Sequence, residues 1–296
     1  MRLLTLNCHS LLEYDTKKQI KEIVDFVVRE SITIVALQEV SQLVANKSLE
    51  QASLAESGFV MPAETDIPVK EGNFAYLLVQ AFKKVKLSFS WTWTATHIGY
   101  DKLDEGIALL TLKPLSDVHA PVIVASSEYD QYTDYRRRKL LFGKVGDAKG
   151  SVVATGHLDG WQKDIFYAEW DQVLENLAEF ADSKAAVYLL GDFNVDAEKD
   201  ETNYAHICRK FIDTYEVALS RGDGMTVRGS IDGWEDSDVA RRIDYILTTD
   251  SKEVAYSRVC FDGQETQRIS DHAGIVVEMA TPVTVQVTAN SKSATA

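Results

Sequence analysis

Ala185-Ala186-Val187-Tyr188-Leu189-Leu190-Gly191-Asp192-Phe193-Asn194 is the stretch whose reading decides the fold. Its first six residues form a short apolar run rich in β-formers, the pattern of a buried strand. Side chains two apart on an extended chain point the same way. Asp192 and Asn194 therefore leave the strand end on one face, with Phe193 turned back into the core. Gly191 lacks the side chain that would crowd a ligand. A carboxylate beside a carboxamide suits a phosphate ester. The first orients or deprotonates a water, and the second hydrogen-bonds a phosphoryl or metal-bound oxygen. Taken alone, the same four residues read first as a strand-to-loop turn; the rest of the chain reverses that.

Working outward, other strands end in the same way. Residues 2–6 read as a strand with Asn7 at its exit. A helix follows, with Ile20, Ile23, Val24, Val27 and Val28 on one stripe. Thr33 to Leu37 is the next strand, closed by Gln38-Glu39. Residues 41–72 read as a helix and then an irregular loop. Residues 75–82, 85–95 and 107–112 read as adjacent strands, with Glu105-Gly106 opening the last. Residues 113–121 read as a turn and 122–125 as a further strand. Residues 136–146 and 151–155 form an antiparallel pair, and the second strand exits into Gly156-His157-Leu158-Asp159. After a helix bearing Phe166, Trp170, Val173, Leu174, Leu177 and Phe180 comes the opening stretch. Residues 202–219 read as helical and 221–240 as a long polar loop. Strands are expected at 242–247 and 254–261, and Ser270-Asp271-His272 precedes the last, 273–279. The tail from Thr281 reads as disordered. Residues 1–280 contain no linker, so one α/β domain of two packed, mixed but mainly antiparallel sheets with outer helices is expected.

The 296 residues are 45% hydrophobic, ample for a core. No apolar run reaches the length of a membrane span, and the N-terminus reads directly into a strand rather than a signal peptide. Cys8, Cys208 and Cys260 are odd in number and have no metal-ligand spacing, which points to a reducing cytoplasm. A net charge of −14 disfavours a grip on a nucleic-acid backbone. The one dense basic cluster is Arg136-Arg137-Arg138-Lys139.

Collected from the strand ends, the polar set is Asn7, Glu39, Glu105, His157, Asp192, Asn194, Asp244, Asp271 and His272. Such oxygen-rich donors suit a hard cation, Mg²⁺ or Mn²⁺, better than zinc. Leu-Asn, Leu-Gln-Glu-Val, Asp-Glu-Gly, Gly-His-Leu, Gly-Asp-Phe-Asn, Arg-Ile-Asp-Tyr-Ile and Ser-Asp-His, in this order, resemble the endonuclease/exonuclease/phosphatase superfamily. The resemblance covers about residues 1–280 and implies a four-layer α/β/β/α sandwich that hydrolyses phosphoesters. It implies that Glu39 is the main metal ligand, with Asn7 and Asp271 close by. Asp192 would activate water and Asn194 would hold the phosphate. Glu105 would orient His157, and Asp244 would orient His272. A phosphate-contacting arginine is expected at Arg137 or Arg138.

A looser resemblance, carried by Asn-Cys-His-Ser, Tyr-Arg-Arg-Arg-Lys and His-Leu-Asp-Gly-Trp, is to a bacterial branch that includes maltose-6'-phosphate phosphatases. It makes a phosphomonoesterase of a small sugar phosphate the leading expectation, with a nuclease as the alternative. His9 and Trp161 are candidates for the substrate rim, and Trp234 is either a further ring platform or a loop anchor. His97, His119 and His206 carry no site argument and read as structural.

Overall fold

The computed structural model describes the chain except residues 14, 147–149, 161, 230–238 and 281–296. Trp161, Trp234 and the tail from 281 therefore lie outside the described residues. The order of elements is β1 (Arg2–Asn7), α1 (Thr16–Glu30), β2 (Ile34–Gln38), β3 (Gln42–Leu43), α2 (Gln51–Ser57), α3 (Phe74–Lys84), β4 (Ser90–Gly99), β5 (Leu103–Thr111), β6 (Leu115–His119), β7 (Leu140–Val145), β8 (Val152–His157), α4 (Lys163–Phe180), β9 (Val187–Asp192), α5 (Glu201–Ile207), β10 (Ile212–Asp213), α6 (Thr214–Val217), β11 (Ala218–Arg221), β12 (Asp244–Thr248), β13 (Val254–Cys260) and β14 (Gly274–Met279).

One sheet has the order β11-β13-β14-β1-β2-β5-β3, with β4 also on β5; the other is β10-β12-β9-β8-β7-β6. The pairs β1–β2, β8–β9 and β11–β13 are parallel. The remaining pairs are antiparallel. Alternation along the strands builds three apolar layers. Leu3 of β1 and Val153 of β8 meet between the sheets. Leu4 and Leu6 face outward onto α1 and α3, while Val152 and Ala154 face α4 and α5. The expected four-layer sandwich is the observed one. Near the site the two sheets are tied by polar side chains: Gln38 of β2 donates to Thr155 Oγ1 of β8 at 2.9 Å. Thr5, Gln38 and Thr155 lie within two residues of Asn7, Glu39 and His157. Among the described residues no helix is long and apolar enough to cross a membrane, and the three cysteines are free thiols.

Several local expectations are corrected. Residues 75–82 belong to a helix, α3. Asn73 caps it by accepting the Tyr76 N–H, and Phe74, Ala75, Leu78, Val79 and Phe82 are buried at helical spacing. A continuous apolar run does not distinguish a strand from a buried helix; the cap does. The turn expected at 113–121 contains edge strand β6, whose pairing with β7 shifts register between Ser116 and His119. The strand expected at 122–125 shrinks to one bridge, Val122 to Lys139. The helix expected over 202–219 breaks into α5, β10, α6 and β11. Asp213, buried beside Arg242, starts a new helix by accepting the Tyr215 N–H.

Candidate active site

Strand register gathers the polar ends at one rim. Parallel pairing sets Asn7 opposite Gln38, and Glu39 follows with a left-handed φ of 50°. His157 is in register with Asp192, and Asp192 with Asp244. Asn194 also takes a positive φ, 52°, a conformation asparagine tolerates better than most residues. Gly191 serves a purpose other than the one expected. A Cβ there would stand 2.2 Å from the Gly156 carbonyl, so its smallness lets β8 and β9 approach rather than making room for a ligand.

Asn7 Nδ2 bridges the site, donating to Glu39 Oε1 at 2.7 Å and to Asp192 Oδ2 at 3.1 Å. Its own Oδ1 accepts the His9 N–H. His272 Nδ1 lies 3.0 Å from Asp244 Oδ2 and 3.7 Å from Asp192 Oδ2. A carboxylate only accepts, so Nδ1 carries the proton. His157 Nε2 lies 3.8 Å from Asp192 and 3.2 Å from Asn194 Nδ2. Ser270 Oγ donates to the Asn7 carbonyl and also contacts Asp271, fixing the final loop to β1. These side chains open on a cleft of about 520 Å³ lined by His9, Glu39, His97, Glu105, Arg138, His157, Asp192, Asn194, Asp271 and His272, among others.

Burial, with Asp244 beside it, pushes the Asp192 carboxyl up to about 7. For His272, burial opposes the charge, but Asp244 and Asp192 outweigh it and raise the imidazole to about 10. Burial, joined by the Arg138 charge, holds His157 well below the usual range and keeps it neutral. Burial and the neighbouring Asp271 raise Glu39, against the Asn7 hydrogen bond.

The far wall departs from expectation. Glu105 pairs with His97, whose Nε2 is 3.4 Å from its Oε1, across β4 and β5. It does not orient His157, which among the described residues has Asp192 as the carboxylate within ion-pair distance. His97, read as structural, is instead part of the cleft, and burial with Arg138 close by lowers it to about 3. The two candidate arginines part company. Arg137 is spent on the Thr96 carbonyl, Asp66 and Asp130. Arg138, 6% exposed, lines the cleft and donates to the Tyr135 carbonyl. Its Nε has no partner, and among the described residues no carboxylate lies within ion-pair distance. β1 ends before His9, which takes a φ of 44° yet still lines the cleft, its Nδ1 3.1 Å from Glu13. Sequence reading also missed Tyr100 and Tyr135, both exposed at the rim. A lone tyrosine in a turn carries no signal of its own.

The model of the Endonuclease/Exonuclease/phosphatase family matches residues 4–272. The chain belongs to this family. Among solved structures it is similar to an endonuclease/exonuclease/phosphatase family protein from Leptotrichia buccalis, at 24% identity and a TM-score of 0.79, covering 95% of this chain and 100% of that one. It is also similar to the mannosyl-6-phosphatase Bt3783 of Bacteroides thetaiotaomicron, at 18% identity and TM-score 0.63, covering 95% and 100%. D. rerio TDP2 complexed with single strand DNA product aligns at 17% identity and TM-score 0.59, covering 95% and 99%. At these identities the likenesses speak for the fold. No curated protein sequence matches the chain.

Family members generally work on phosphoesters with a divalent cation, and the donors present fit one. Glu39 and Asp271 are hard oxygen donors, and Asp271 is near enough to disfavour the charge on Glu39, which the Asn7 amide, His272 and His9 only partly offset. The Asn7 amide joins Glu39 to Asp192, while Asp271 is held to β1 through Ser270 Oγ. The ligand atoms of Asp192, Asp244 and His272 also lie within 4.8 Å of one another. However, His272 Nδ1 holds a proton between two carboxylates, which makes that trio a hydrogen-bonded relay rather than a cation cage.

Proposed function

We propose that this family member is a phosphomonoesterase dependent on Mg²⁺ or Mn²⁺, acting in the cytoplasm on a small sugar phosphate such as maltose 6'-phosphate. The observation that carries the reading is Arg138, a buried guanidinium with no carboxylate at ion-pair distance among the described residues, in the same cleft as Asp192, Asn194 and His272. A buried charge without a partner is costly, and a phosphate would supply the missing one bidentately. The chain's charge of −14 favours a small ester over a polynucleotide.

In this reading Arg138 holds the phosphate, joined by Asn194 once its amide turns from His157 Nε2, with Glu105 and His97 on the same wall. Asp192 takes a proton from the attacking water. The water oxygen bonds to phosphorus as the ester P–O bond breaks, and the departing sugar oxygen ends protonated, so one water is consumed. His272, fixed by Asp244, donates to a phosphoryl oxygen that gains charge, and neutral His157 supports Asn194 beside it. Glu39 and Asp271, with Asn7 beside Glu39, would hold the cation, which when bound offsets phosphoryl charge. The test is phosphate release from sugar phosphates, maltose 6'-phosphate among them, beside cleavage of plasmid DNA, with Mg²⁺ or Mn²⁺. Phosphate release is expected. Strand cleavage without it would make the protein a nuclease with the same machinery.

A further inference from the structure

Two buried carboxylates beside the cleft have no part in that chemistry. Glu169 is fully buried on α4; its Oε2 accepts the Asp159 N–H at 2.8 Å, and its Oε1 has no partner among the described residues. Asp159 is 5% exposed, lines the cleft, and its Oδ1 also has no partner among the described residues. The loop carrying Asp159 is fixed to Asn194 from both sides. Asn194 Nδ2 donates to the Leu158 carbonyl at 3.1 Å. A Cβ on Gly160 would lie 2.3 Å from the Asn194 carbonyl, so the two backbones touch. Asp159 therefore keeps a set position relative to the residue that holds the phosphate.

A buried acceptor without a donor is costly, and native structures keep few of them. An ionised carboxylate only accepts. Facing the substrate, it attracts hydroxyl groups and repels a second phosphate. Gln162, at the start of α4 with no capping bond from its side chain, lines the same wall. Tyr100 and Tyr135 stand exposed at the rim of the cleft.

We infer that Asp159, positioned by Glu169 and by the Asn194 backbone, reads the hydroxyl groups next to the phosphate, so that the cleft selects a polyhydroxylated monoester over an aryl ester or a polynucleotide. This rests on the phosphomonoesterase reading above. The test compares kcat/KM for a hexose 6-phosphate with that for phenyl phosphate, which has no hydroxyl, using the purified 296-residue chain with Mg²⁺. In Asp159→Asn, which keeps the side chain's shape, the ratio of the two should fall about ten- to hundredfold. Should that variant fail to fold, deoxy analogues on the unaltered chain carry the test, and at least one should lose about tenfold. An unchanged ratio, an equal loss on both esters, or equal rates for every deoxy analogue overturns the inference and leaves the phosphomonoesterase reading standing. If the unaltered chain releases phosphate from neither ester and instead cuts a single-stranded oligonucleotide, both readings fall.

Discussion

Arg242 and Arg138 are both buried, yet their surroundings are opposites. Arg242, 1% exposed, is paired with Asp213 and Glu216 and lies over the Tyr215 ring at 4.5 Å and the Tyr204 ring at 5.1 Å. Asp213 in turn accepts from Tyr204 and from the Tyr215 N–H. Around Arg138 there are one carbonyl, the open cleft, and the Glu105 and Glu169 carboxyls, which burial raises to about 8 each and so holds largely uncharged at neutral pH. A charge whose partners all come from the protein stabilises the fold. One whose partner is missing is held ready for something that arrives from outside. The region under β12 is thus built for stability and the cleft for chemistry, and substitutions should separate the two.

The largest separation is expected inside the cleft. Asp192→Asn or His272→Ala should lower kcat by about 10⁴, some 5 kcal/mol of barrier. Asp192→Asn should leave the unfolding midpoint unchanged or higher, because it removes one of two buried carboxylates in register. Near-normal turnover in either variant would remove these residues from the mechanism. Next comes Arg242→Met, which leaves Asp213 buried beside a missing cation and should cost about 3–5 kcal/mol of stability. Its kcat per folded molecule should stay within a fewfold of the unaltered chain. An active-site defect with normal stability would abolish the contrast.

Arg138→Met is the mirror image and smaller. Loss of a charge-assisted contact should reduce kcat/KM about ten- to hundredfold, 1.5–3 kcal/mol, with no loss in denaturant midpoint. A large stability loss would place Arg138 in the same class as Arg242.

That contrast also explains what was legible beforehand. Asn7, Glu39, Asp192, Asp244 and His272 each follow or adjoin an apolar strand, and strand ends are written in local sequence. The pairing of Glu105 was not, because its partner is set by the register of β4 on β5, which places His97 opposite it. Arg137 and Arg138 are adjacent and look equivalent in sequence, and only the positions of Asp66 and Asp130 tell them apart. Phe74 to Phe82 misled for a different reason: an apolar run buried against a sheet has no polar face to reveal its period.

Glu169 gives the closest test of the comparison. Burial raises its carboxyl from 4.5 to about 8, so the fold favours the protonated form. Its contribution to stability is complete below about 4.5 and drains away as pH climbs through 8. Glu169→Gln cannot ionise and keeps an oxygen for the Asp159 N–H. Relative to the unaltered chain it should therefore gain stability with rising pH, by at most about 1.4 kcal/mol per pH unit between those limits. Urea midpoints from pH 5 to pH 9 would record the two curves converging and then crossing. Parallel curves would mean that Glu169 is ionised in the folded protein throughout. It would then act as the counter-charge of Arg138, whose field already favours its ionised form. Arg138 would join Arg242 among the matched charges, and the cleft would lose the unmet cation on which the binding of a phosphate is argued.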